Sequence, residues 1–171
     1  MASNKKIYIF IAIISLIFSL SACGIYSFTG ASIDPNVKTV SIDYFQNQAT
    51  LVNPSLSQTI TEALKDRFLN RTSLRLVDEE GDLQFSGAIT SYHTSPQAIT
   101  GDQTAALNRL TITVRVTFVN LIDEKSNFNT SFSRYVDYDS SLNLSEVEDS
   151  LVEEIVKDLI DDIFNRSVVN W

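Results

Sequence analysis

From Leu110 to Asn120 the chain alternates without a break, with Leu110, Ile112, Val114, Val116 and Phe118 on one parity and Thr111, Thr113, Arg115 and Thr117 on the other. Successive side chains of a strand point to opposite sides of its sheet, so this run is a strand with one face in a core and one face in a polar medium. The feature limits the fold. A sheet holding this strand is covered on one side only, by elements that each carry a single apolar stripe.

Two segments supply such stripes. Asn53-Pro54 places a capping side chain ahead of a proline that tolerates a first helical turn, and Leu56, Ile60, Ala63, Leu64 and Phe68 follow at helical spacing until the pattern fades at Asn70 to Thr72. The second begins at Ser145, with Glu148 three residues on as a capping box, and Val147, Leu151, Ile155, Leu159 and Ile163 step by four. Glu153 with Lys157 and Asp162 with Arg166 make outer pairs at i, i+4.

The remaining strands read less cleanly. Val37 to Phe45 sets Val40, Ile42 and Tyr44 against Thr39, Ser41 and Asp43; Leu83, Phe85, Gly87 and Ile89 alternate with Gln84, Ser86, Ala88 and Thr90. A glycine on the inward parity marks a close approach by a neighbour. Leu74 to Val77 is a short apolar run of undecided role. From His93 to Ala105 periodicity vanishes, and Pro96 and Gly101 mark a loop long enough to serve as a partner-contact segment. Phe128 to Tyr138 is a further strand, in which Arg134 shares a face with Phe128, Phe132 and Val136, so either a bulge re-aims it or it pairs at an edge.

The fold class that follows is α+β: two helices packed on one face of a four- to five-stranded mixed β-sheet, in the order β-α-β-β-β-α, preceded by a signal peptide helix. The first strand pairs in parallel across its helical crossover and the later strands form an antiparallel meander. Ser86, Thr90, Thr111, Thr113, Arg115 and Thr117 line an uncovered face.

The start of the chain reads as an export signal. Lys5 and Lys6 precede the apolar run Ile7 to Leu20, which is shorter than the roughly 20 residues a spanning helix needs. Leu20-Ser21-Ala22-Cys23 is the pattern cut by the lipoprotein-processing peptidase, between Ala22 and Cys23. Residues 1–22 are then a lipoprotein signal peptide, 23–35 a lipidated linker and 36–171 one domain. Acyl chains on Cys23, each methylene contributing about 0.8 kcal/mol on burial, would tether the protein to a membrane without embedding it.

Charge and cysteine content narrow the function classes. Thirteen basic and twenty-one acidic residues give a net charge of −8, and losing Lys5 and Lys6 with the signal takes the mature chain to 11 − 21 = −10. That balance argues against nucleic acid as a partner. Cys23 is the sole cysteine, so no disulfide supports the fold. His93 is the sole histidine, with no second histidine or cysteine to complete a metal or nucleophile site, and neither a phosphate loop nor a nucleophile elbow occurs. No enzyme activity, cofactor or metal is expected. Arg71, Arg75, Arg109 and Arg115 are the cations that could touch an acidic lipid; for those at the end of the first helix the helix dipole is the favoured explanation.

Cys23-Gly24-Ile25-Tyr26-Ser27-Phe28-Thr29-Gly30, the helix from Asn53 to Leu69, the strand from Ala106 to Asn120 and the closing Glu153 to Trp171 together resemble the LptE family of lipopolysaccharide-assembly lipoproteins, in its Bacteroidota form. The resemblance implies a lipid-anchored protein on the periplasmic face of the outer membrane that plugs the LptD β-barrel and serves lipopolysaccharide transport. The partner contacts fall to His93, Pro96, Gly101, Thr111, Thr113, Arg115 and Thr117. The alternatives are a lipopolysaccharide-binding carrier acting through the four arginines, or a pilotin-like factor for another secretion pore.

Overall fold

The computed structural model describes residues 33–51, 53–97 and 106–168. The signal peptide, Ala22, Cys23, most of the linker, Gly101 and Trp171 lie outside the described residues. In chain order the elements among the described residues are β1 (Thr39–Ile42), β2 (Gln46–Asn47), α1 (Leu56–Arg71), β3 (Arg75–Val77), β4 (Leu83–Gln97), β5 (Leu107–Asn120), β6 (Phe128–Asp139) and α2 (Leu144–Val168), with a 3-10 turn at Glu124–Ser126.

The strands form one six-stranded mixed sheet in the order β3-β1-β4-β5-β6, with β2 also beside β4. β1 is parallel to both β3 and β4, while β4, β5 and β6 are an antiparallel meander. The expected class and the parallel crossover pair are therefore present. The sheet holds more strands than the sequence indicated, because Leu74 to Val77 supplies the edge strand β3 and Gln46–Asn47 is too short and polar to show a period.

Both helices bury their stripes in one core with the apolar parity of the sheet. Ile112, Val114, Val116 and Phe118 of β5 are fully buried, as the alternation requires. A chain of aromatic contacts crosses the layers: Phe164 of α2 meets Phe68 of α1 at 5.1 Å, Phe68 meets Phe85 of β4 at 5.0 Å, and Phe85 meets Phe118 at 4.8 Å. Tilted pairs of this kind contribute about 0.5–1.5 kcal/mol each beyond the area they bury.

Local differences from the sequence reading each have a physical cause. β1 ends at Ile42, and the chain bends so that Phe45 is fully buried and Tyr44 is 58% exposed, the reverse of the simple alternation. The Phe45 N–H donates to Thr61 Oγ1 of α1 at 3.1 Å, which fixes the bend. Gly87 makes room for it: a Cβ there would come within 2.7 Å of the Phe45 ring.

The expected loop from His93 is strand as far as Gln97, and Pro96 lies inside it opposite Asn108. Beyond Tyr92, Thr94 and Pro96 are as exposed as His93, so the hairpin there leaves the helix layer, and no burial pattern marks it in the sequence. Thr90 sits at the irregularity between Ile89 and Ser91, where the β4–β5 register shifts, and donates to the Thr113 carbonyl at 3.3 Å.

At the start of α1, Asn53 Oδ1 accepts from Ser55 N–H at 3.0 Å and Leu56 N–H at 3.2 Å, the expected capping role. α2 is capped differently from the expected Ser145–Glu148 box. Its start is one residue earlier, Glu146 accepts from Asn143 N–H at 3.3 Å, and Glu148 turns inward to accept from Tyr92 Oη and from Asn53 Nδ2 at 2.8 Å. Arg134 reaches off the edge strand to grip Asp162 through both carboxylate oxygens at 2.6 and 2.7 Å, so Asp162 is drawn across the interface in place of the expected pair with Arg166.

The strand register also defines two ends. At one, Val40, Leu83, Asn120 and Phe128 gather with the C-terminal end of α2. At the other, Gln97, Leu107 and Asp139 lie side by side. The fifteen residues of β4 separate these ends by roughly 46 Å at about 3.3 Å per residue.

Candidate functional site

The uncovered side of β4, β5 and β6 is the surface that this architecture leaves for a partner. Each row across it is fixed by register: Ser86–Thr117–Asn129, Ala88–Arg115–Ser131, Ser91–Thr113–Ser133, His93–Thr111–Tyr135 and Ser95–Arg109–Asp137. In these rows each β5 residue has a polar neighbour on both sides, except Arg115, which lies between Ala88 and Ser131.

The face is hydrogen-bonded within itself. Asn129 Nδ2 donates to Thr117 Oγ1 at 3.1 Å, the Thr113 and Ser133 hydroxyls meet at 2.9 Å, and Ser91 Oγ lies 3.0 Å from His93 Nδ1. Arg109 binds Asp137 with Nε at 2.7 Å and Nη2 at 2.9 Å, and its guanidinium also stacks 3.6 Å from the centre of the Tyr135 ring. The hydrogen bonds from Arg109 hold the Asp137 carboxyl below the usual carboxylate range, against a smaller opposing effect of burial. Arg115 is exposed and forms no ion pair among the described residues.

The structure brings together His93, Thr111, Thr113, Arg115 and Thr117 on this face. Pro96 belongs to the opposite parity of the same hairpin, and Gly101 lies outside the described residues. The four arginines considered for lipid contact are not brought together. Arg109 and Arg115 are on the open face, whereas Arg71 ends α1 and Arg75 begins the edge strand β3. Arg71 lines a groove of about 740 Å³ between α1 and α2, floored by Ala63, Val152 and Val156. Arg67, also in that groove, forms an ion pair with Asp161 of α2.

The β6 half of the face, Asn129, Ser131, Ser133, Tyr135 and Asp137, escaped the sequence reading. Its parity was visible as the complement of Phe128, Phe132 and Val136. The pairing of Arg109 with Asp137 spans 28 positions and depends on register, which neither strand shows alone.

The chemistry offered is hydrogen bonding over an extended flat surface. Among the described residues no cluster of three or more potential metal ligands occurs, and no helix is long and apolar enough to cross a membrane.

The LptE family model, described as lipopolysaccharide-assembly, matches residues 37–167. No curated protein sequence matches the chain. Among solved structures, a minor lipoprotein from Acinetobacter baumannii is similar over 76% of this chain and 91% of its own, with a TM-score of 0.51 and 15% identity. A hypothetical protein from Chlamydia trachomatis is similar over 78% of this chain and 99% of its own, with a TM-score of 0.50 and 11% identity. A neuraminyllactose-binding hemagglutinin homolog from Helicobacter pylori is similar over 82% and 88%, with a TM-score of 0.51 and 11% identity. At such identities these likenesses describe the fold alone.

Proposed function

The chain belongs to the LptE lipopolysaccharide-assembly family, and from that premise we propose that it is a lipoprotein of the outer membrane, anchored through Cys23 on the periplasmic side, that plugs an LptD-type barrel and assists the passage of lipopolysaccharide to the cell surface. The observation that carries this reading is the open face of β4, β5 and β6, polar across its central rows apart from Ala88 and covered by no other described element. Interiors of outer-membrane barrels are polar, so a hydroxyl-rich sheet can lie against such a wall where an apolar one could not. The role is binding and shaping, with no catalytic step.

Gentle detergent extraction of outer membranes tests the reading. A stable complex with a large barrel, crosslinking to it from labels at His93 and Thr113, is expected; recovery of free monomer alone would count against it. Replacing Cys23 by alanine should leave a soluble or inner-membrane precursor, and normal outer-membrane fractionation of that variant would refute the anchor. A pilotin-like role differs by the identity of the barrel recovered.

The carrier reading draws on one observation, Arg115, exposed and without an ion pair among the described residues, and on the lipid phosphates it could meet. The dispersal of Arg71 and Arg75 away from Arg109 and Arg115 weakens it. Charge reversal at all four with lipopolysaccharide transport unchanged would remove it.

A further inference from the structure

We propose that the turn joining β5 to β6 is a membrane-contact element, in which Leu121 and Ile122 enter the headgroup region of the phospholipid leaflet that holds the lipid on Cys23. The inference rests on the lipoprotein reading and adds to it an orientation of the domain. Leu121 is 55% exposed and Ile122 46%, and they are the one pair of consecutive large hydrophobic residues left exposed among the described residues. Exposed apolar residues occurring singly need no explanation; two adjacent ones at a turn tip form a small apolar prow.

The tip is built to hold them out. Leu121 N–H donates to the Asp82 carbonyl at 2.9 Å, and Asn120 Oδ1 accepts from Ile122 N–H at 2.9 Å and Asp123 N–H at 3.0 Å. Asp123 in turn accepts from Lys125 N–H at 3.3 Å. With the backbone satisfied in this way, the outward direction of the two side chains is a property of the folded turn.

The occupant is indicated by where the chain enters. Ile33 and Pro35 share a cleft of about 330 Å³ with Asn120, Asp123 and Val168, so the first described residues lie directly beside the tip. Ten residue steps from Cys23 to Ile33 span at most about 35 Å when fully extended, which keeps this end of the domain near the leaflet. The neighbouring Asp123, Glu124 and Lys125 sum to a net negative charge, so the contact rests on the apolar area of Leu121 and Ile122 and on the nearby anchor, not on attraction to anionic headgroups. The β4–β5 hairpin then points away from that leaflet.

The test uses the mature protein, lipidated on Cys23, reconstituted into vesicles of phosphatidylethanolamine and phosphatidylglycerol. Because lipidation consumes the Cys23 thiol, a nitroxide on Leu121→Cys, Ile122→Cys or, at the opposite end, Leu142→Cys reports a single site. Accessibility to oxygen relative to a water-soluble nickel chelate should be several-fold higher at 121 and 122 than at 142. Equal, water-like accessibility at all three in vesicle-bound protein overturns the contact while leaving the anchor intact. A label at 121 and 122 shielded from both reagents indicates a protein neighbour and also overturns it. Protein that fails to associate with vesicles removes the lipoprotein reading, and the contact with it.

Discussion

Replacing Glu148 by alanine should destabilise the domain more than any other single change at the surface of α2. Glu148 Oε1 accepts from both Tyr92 Oη and Asn53 Nδ2, and those donors are 6% and 8% exposed. Removing the acceptor leaves two nearly buried donors unpaired, at about 1–3 kcal/mol each, so the expected cost is roughly 2–6 kcal/mol. Tyr92→Phe removes one donor and leaves Glu148 its bond from Asn53, so its cost should be about 1–2 kcal/mol. In urea, with a slope near 2 kcal/mol/M, the midpoint should fall by about 1–3 M for Glu148→Ala and by at most about 1 M for Tyr92→Phe.

The same contact makes an alkaline prediction. Burial first, then the hydrogen bond and charge of Glu148, push the Tyr92 hydroxyl far above its ordinary value. A group whose value is raised by folding stabilises the fold fully below its unfolded value, near 10 for tyrosine, and that stability is lost as pH rises above it. Tyr92→Phe should therefore flatten the fall in stability above about pH 10 relative to the parent. If Glu148→Ala shifts the urea midpoint by less than about 0.25 M, the size of an ordinary surface substitution, the argument that this network ties β4 to both helix starts is wrong.

Three further outcomes follow from the packing. Gly87→Ala should cost about 1–3 kcal/mol, because its methyl group would collide with the Arg115 carbonyl oxygen and come within 2.7 Å of the fully buried Phe45 ring, and a melting temperature unchanged from the parent would show that both the β5 backbone and the ring can move aside. Ile112→Asp places a charge at a fully buried position and should abolish the cooperative transition at neutral pH, whereas Thr113→Ala should keep it and weaken only barrel capture. Asp82 accepts from Lys38 N–H, Thr39 N–H and Thr39 Oγ1 at 2.8–2.9 Å, which lowers its value, so its stabilisation is present above about pH 4 and disappears on acidification; Asp82→Asn should lose that dependence, read from midpoints at pH 3 and pH 7.

What could be read from single residues and what could not divides along burial. The β5 alternation was legible because five of its residues are shielded on one side and none on the other, and the same holds for both helix stripes. The distal hairpin was not, since His93, Thr94 and Pro96 are exposed on both sides and leave no period to detect. Glu148 misled because its spacing from Ser145 satisfies a capping rule, while its actual partners lie 56 and 95 positions away. Half of the open face followed from the Thr parity of β5. Its ion pair and its β6 border needed the register, a property of two strands together.

The two ends of the sheet separate folding from recognition. Tyr92 and Leu110 are the last core residues along the β4–β5 hairpin, and past them Thr94, Pro96 and Asn108 bury no helix stripe. A hairpin that buries little in its own chain contributes little to stability, yet here its register with β5 continues unbroken from Ser91 to Gln97. Backbone pairing, with the Arg109–Asp137 ion pair on the β5 arm, holds it extended, so its other side chains are free to be chosen for an outside surface. The opposite end carries the chain entry, the C-terminal end of α2 and the Leu121–Ile122 tip, and most of the aromatic contacts lie nearer to it. Under the proposed anchor on Cys23, a tether of about 35 Å at most, roughly three quarters of the length of β4, would attach the domain at its well-packed end and leave the polar face of the hairpin free for the proposed barrel partner.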